Sequence, residues 1–171
     1  RFGFTLSKTL SRWRDATTND LLSLSHEPLF HQPSVLDFHP ASSAGRYSPT
    51  SGVFVTTDTV RSPLIDAGDP LVLVTDESAP NGSRVNIGLY GNHPEASRSA
   101  TNAQFYTISL NDGGNVRGTN ILYWLAVGTA TGMQVFVDYS ADSGTTWTNI
   151  ATNVNASAGQ VSWNSTVYLS S

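Results

Sequence analysis

Prolines set the first limit on what this chain can become. Pro28, Pro33 and Pro40 interrupt the stretch LLSLSHEPLFHQPSVLDFHP every five to seven residues. A proline inside a helix removes a hydrogen bond and clashes with the preceding turn, so a long helix is excluded here. The short apolar patches between the prolines predict successive short strands joined by tight corners. Residues 41–99 continue in this style. Within them, SPLIDAGDP predicts a short buried strand at Leu64 and Ile65, then a turn of Asp66, Gly68 and Asp69 that Pro70 closes. Ahead of the prolines lies one short helix candidate, with Thr9 or Ser11 as cap and Leu10, Trp13 and Arg14 in its first turns.

Residues 96–103, ASRSATNA, are small, polar and without periodicity, and read as a linker. Beyond them the pattern changes. QFYTISL, ILYWLAV, MQVFVDYS, TWTNIAT, QVSWN and TVYLSS are strand candidates of similar length, separated by turns rich in Gly, Asn and Asp, which predicts an antiparallel sandwich. A sandwich of immunoglobulin type uses about seven strands or more, so six candidates leave this one incomplete. Charge does not protect the exposed edge, because residues 150–171 contain no Lys, Arg, Asp or Glu. The edge is expected to be completed by sequence beyond Ser171, by the first part of the chain, or by a strand from a neighbouring copy, which would propagate into fibres.

Between two of these strands lies SADSGTTW. Asp142 can accept bonds from backbone N–H groups just ahead of it, Gly144 can take a positive φ, and Thr146 restarts an extended segment. Trp147 is expected to seal the hairpin against a core. The pattern Ser140, Asp142, Gly144, Thr146, Trp147 resembles the Asp-box of sialidase-type propellers and several extracellular β-domains. Propellers need it once per blade, and it occurs once here, so it is read as a structural turn rather than a mark of sugar chemistry.

Charged residues make up only 13% of the 171 residues, with net charge −4. The nine Lys and Arg are scattered and outnumbered, which argues against a nucleic-acid partner. With no cysteine, disulfides and thiolate metal sites are excluded. No apolar run approaches the roughly 20 residues of a membrane helix. The opening RFGFTLSKTL lacks the features of a signal peptide, and Arg1 is read as falling inside a longer parent chain.

The order of motifs across residues 9–97 is more specific than any one of them. Trp13, Pro28-Leu29-Phe30, Asp37-Phe38-His39, Ala44-Gly45-Arg46-Tyr47, Ser62 to Pro70 and Asn86 to Gly91 follow one another. This succession resembles the closing coils of a bacterial right-handed parallel β-helix; Leu64 departs from it by replacing a frequent Cys with another apolar residue. The second part resembles the immunoglobulin-like or fibronectin-III-like modules that follow such helices. The resemblance implies an all-β chain: terminal β-helix coils and cap over 1–97, a linker at 98–103, and an immunoglobulin-like sandwich over 104–171. It places cap turns at Asp66, Gly68, Asp69, Gly88, Tyr90 and Gly91, with Tyr90 over the end of the core.

Other residues are weighed as sites and favoured as structure. Of the four histidines, which include His93, His26 and His31 flank Pro28 with no visible third zinc ligand, and His39 belongs to the DFH step. Asp66 with Asp69 supplies too few oxygens for calcium. Neither that pair nor Asp76 with Glu77 is assigned to glycoside hydrolysis, whose counterpart on β-helix enzymes lies on central coils, upstream of Arg1. Trp13, Trp124, Trp147 and Trp163 could stack on sugars, but alternation turns most of them inward. Three glycosylation tripeptides, at Asn81, Asn155 and Asn164, are read as incidental. The expected function is a non-catalytic structural or attachment segment of a secreted or surface bacterial β-helix protein, without cofactor or metal, its partners being the parent chain or neighbouring copies. The alternative is an accessory carbohydrate-binding region of a polysaccharide-active enzyme.

Overall fold

A computed structural model describes residues 10–17, 19–20, 22–110 and 116–167. Their architecture is all-β in character, built from small antiparallel sheets, with no closed barrel and one two-turn helix, α1 (Leu10–Thr17). The chain divides into two compact units, one of residues 26–104 with 127–129, the other of residues 1–25, 105–126 and 130–171.

In the first unit, β1 (Phe30–Gln32) pairs antiparallel with β2 (Asp37–Pro40), and β3 (Arg46–Ser48) with β4 (Val53–Val55). Short strands between prolines close locally as hairpins, and no parallel ladder forms among the described residues. From Thr56 to Ala103 there is no strand. Leu64 and Ile65 correct the expectation of a short buried strand: Ile65 is fully buried, but it lies in a turn whose amide bonds back to the Ser62 carbonyl. Long-range ties replace the missing ladders. Three buried serines each donate a hydroxyl proton to a distant carbonyl: Ser42 to Arg98 at 2.6 Å, Ser62 to Pro28 at 2.5 Å, and Ser97 to Pro40 at 2.6 Å. Residues of the expected linker take part, since Ser99 is buried and the Arg98 guanidinium lies 3.9 Å from the centre of the Phe54 ring.

The second unit follows its alternation more closely. β5 (Gln104–Thr107), β6 (Thr119–Val127) and β9 (Gln160–Asn164) form a three-stranded sheet, and β7 (Gln134–Tyr139) pairs with β8 (Thr148–Asn155). Five of the six predicted strands are present. TVYLSS instead begins in a 3-10 turn, and its last four residues lie outside the described residues. Trp124 and Trp163 are each only 5% exposed; the Trp124 indole donates to the Ala156 carbonyl at 2.7 Å, and Trp163 packs on Tyr139. The helix belongs to this unit. Its Arg14 donates to the carbonyls of Asp20 and Ile108 at 2.7 and 2.9 Å, and to that of Ser23. No helix among the described residues is long and apolar enough to cross a membrane.

Candidate functional site

The turn between β7 and β8 is held by one carboxylate. Asp142 Oδ1 accepts from the Thr146 amide at 2.8 Å and from the Ser140 hydroxyl at 2.9 Å, while Oδ2 accepts from the Thr146 hydroxyl at 2.7 Å. Ser140 in turn accepts from the Gly144 amide at 2.7 Å. Gly144 has φ +90°, open to glycine at little cost. The backbone bond from Thr146, its hydroxyl bond, and the Ser140 bond favour the charged carboxylate and hold the Asp142 pKa at about 2.

Trp147 corrects the expectation that it seals a core: it is 65% exposed. It follows directly on the turn, one residue before β8 begins at Thr148. Beside it, a cleft of about 520 Å³ is lined by Leu122 of β6, Trp163 of β9, Val137 and Tyr139 of β7, Ile150 of β8, and the turn residues Ser140, Ser143 and Gly144. Among the described residues, Asp138 is the one charged residue of the lining.

In the unit of residues 26–104, the predicted turn residues separate. Asp66 is buried at φ +60°, and Asp69 is exposed, its carboxylate accepting from the Leu71 amide at 2.9 Å. They share no ligand site. Asp66 forms an ion pair with Arg61 and accepts from the Ser99 hydroxyl, while its own amide donates to the Asn86 side-chain oxygen at 2.8 Å. Asn86 continues the network, donating its side-chain amide to Ser97 O at 2.8 Å and its backbone N–H to Glu77 Oε1 at 2.7 Å. That oxygen also accepts from Asn92 N at 2.8 Å. Burial pushes the Glu77 carboxyl upward, the two amides oppose it, and the Asp66 charge adds to the rise. Arg84 staples the turn from outside through bonds to Gly68 O at 2.6 Å and Ala67 O at 3.2 Å.

Gly88 has φ +115°, whereas Gly91 is required by proximity, because a Cβ there would stand 2.3 Å from the Asn86 carbonyl oxygen. Tyr90 stacks on His39, ring centres 3.6 Å apart. His39 is fully buried, with Nδ1 2.6 Å from Asp37 Oδ1 and Nε2 3.7 Å from Glu95 Oε2. Burial would raise the Asp37 carboxyl, but the hydrogen bonds and charge of His39, aided by Arg46, outweigh it and lower the pKa. An Asp–His pair is a familiar general-base arrangement, yet this imidazole is sealed from any substrate. Arg46 also reaches Asp58 at 3.0 Å, and Asp58 accepts from the Ser42 amide and stands 3.6 Å from His31.

His93 Nδ1 accepts from the Glu95 amide, and the exposed Asp76 bonds to Thr75 rather than forming a pair site with Glu77. No group of three His, Cys, Asp or Glu among the described residues is placed to hold a metal ion. Sequence reasoning missed Arg61, Asn86, Ser99, Arg46 and Asp58. The one available signal was scarcity: in a chain this poor in charge, an arginine five residues before an aspartate in an apolar turn invites pairing. No protein family, curated protein or solved structure matches the chain.

Proposed function

We propose that this chain is a non-catalytic structural or attachment segment of a secreted or cell-surface β-helix protein, with residues 26–97 as part of the terminal coils and cap. The strand-rich unit is taken as an immunoglobulin-like sandwich whose edge pairs with a strand of a neighbouring copy. One observation carries the reading: the carboxylates that could do chemistry in residues 26–104 are consumed in holding irregular backbone. Glu77 and Asp58 accept directly from main-chain amides, and Asp66 is paired with Arg61 and accepts from the Ser99 hydroxyl. The end of a solenoid needs such ties, because its last coil has no neighbour to satisfy its backbone groups or cover its core. The sandwich reading draws support from five strands that carry a single charged side chain, Asp138, leaving edges without the charges that discourage pairing.

The test incubates the 171-residue chain with a panel of neutral and acidic polysaccharides and follows new reducing ends and unsaturated products, alongside light scattering over a concentration series. The proposal expects no turnover and growth of apparent mass with concentration. Turnover lost in a folded Asp66→Asn variant would overturn the non-catalytic reading, and a concentration-independent monomer would overturn the fibre reading. A second reading, an accessory carbohydrate-binding region, is favoured by the exposed Trp147 beside an aromatic cleft.

A further inference from the structure

We propose that the cleft at the Asp142 turn binds a pyranose ring of a neutral polysaccharide, with Trp147 as its stacking platform; this rests on the carbohydrate-binding reading and gives it a site and a ligand class. Tryptophan is normally well buried, so an indole left 65% exposed at a defined turn calls for a partner. The turn is not loose. Four hydrogen bonds among Ser140, Asp142, Gly144 and Thr146 fix the backbone immediately before Trp147, so little ordering remains to be done on binding.

The lining matches the two-sided chemistry of a sugar. Val137, Tyr139, Ile150 and Trp163 give the lining an apolar side suited to the C–H face of a pyranose, and Ser143 adds a polar residue to it. A volume of about 520 Å³ lies within the range of small-ligand sites. Charge selects among sugars. Among the described residues the lining holds no Lys, Arg or His, and its one charged residue is the Asp138 carboxylate, so uronates and sialic acids would meet repulsion without compensation. A neutral hexose or pentose polymer fits. A strand from another copy is the competing occupant; Trp147 favours the sugar because it sits in the turn rather than along an open ladder.

The experiment titrates the 171-residue chain with oligosaccharides of β-glucan, xylan and galactomannan, and with oligogalacturonate, by calorimetry and tryptophan fluorescence. Saturable binding of a neutral series is expected, weakened at least about tenfold by Trp147→Ala and less by Trp147→Phe. Unchanged thermal melting of both variants would show that the loss is local. Neutral-sugar binding that ignores Trp147→Ala would overturn this site while leaving the carbohydrate reading standing. Binding to none of the four would overturn both, preference for oligogalacturonate would overturn the ligand class, and self-association abolished by Trp147→Ala would assign the cleft to a second copy.

Discussion

The two units bury opposite kinds of side chain. Among the described residues, the unit of 26–104 and 127–129 buries ten polar or charged residues against six apolar ones, and the other buries two against six. The first therefore gains its shape from specific bonds, each of which is costly to leave half made. The second gains it from aromatic packing on two small sheets, where area matters more than any one partner. Regular strands satisfy their own backbones and can spend side chains on packing. Irregular coil cannot, and here serine, asparagine and carboxylate side chains supply the missing partners.

The comparison breaks most readily on a matched pair of truncations. Asp66→Ala strands the buried Arg61 charge and should cost about 3–5 kcal/mol, with hydrogen exchange rising across residues 26–104. Trp124→Ala opens a cavity and should cost a similar amount, about 3–5 kcal/mol, with exchange rising in β5, β6 and β9. Urea denaturation gives both energies. If Asp66→Ala cost under about 1 kcal/mol, the polar cluster would not hold its unit.

A smaller effect is expected from Gly91→Ala, whose methyl group must displace the Asn86 backbone. The cost should fall at the upper end of about 1–3 kcal/mol, and a thermally silent variant would contradict the close approach. Next comes Glu77. Glu77→Ala leaves the Asn86 and Asn92 amides without their acceptor and should cost about 1–3 kcal/mol, while Glu77→Gln keeps an oxygen for both. Because the folded carboxyl has its pKa raised above 4.5, the native state holds the proton more tightly, so its share of stability falls as pH rises from 4.5 through the folded value. Glu77→Gln should flatten that slope in melts run across the window.

Asp142→Ala is expected to give the smallest change, a modest drop in melting temperature. The folded pKa of about 2 lies below the ordinary 3.8, so the stability it contributes is present above 3.8 and lost as pH falls toward 2. The wild type should show that acid loss and the variant should lack it.

Much of the strand-rich unit is legible in sequence because alternation and turn residues agree. MQVFVDYS and TWTNIAT flank an Asp and a Gly that can each do what the reversal needs, and β7, the turn and β8 follow. Alternation does not say which side chains at the ends of strands are covered: Trp147 is exposed while Trp163 is buried. In the other unit, proline spacing correctly forbids long elements but does not say how short ones pair. The Arg61–Asp66–Ser99 contact joins residues whose local sequences suggest a loop, a turn and a linker. A small polar residue in a polar interior looks, in one dimension, the same as one in solvent.

The Asp142 turn has a consequence for how its motif is to be understood wherever it occurs. Each of the side-chain hydrogen bonds made by Ser140, Asp142, Thr145 and Thr146 closes between residues 140 and 146. Nothing in that set depends on the sheets to either side. Such a turn is a portable heptapeptide: it can be inherited, duplicated or arise afresh on any hairpin that needs a rigid end, and its presence transmits neither ancestry nor activity. The Trp that follows is outside that set of bonds, so its burial is decided by the host, and here it is left 65% exposed.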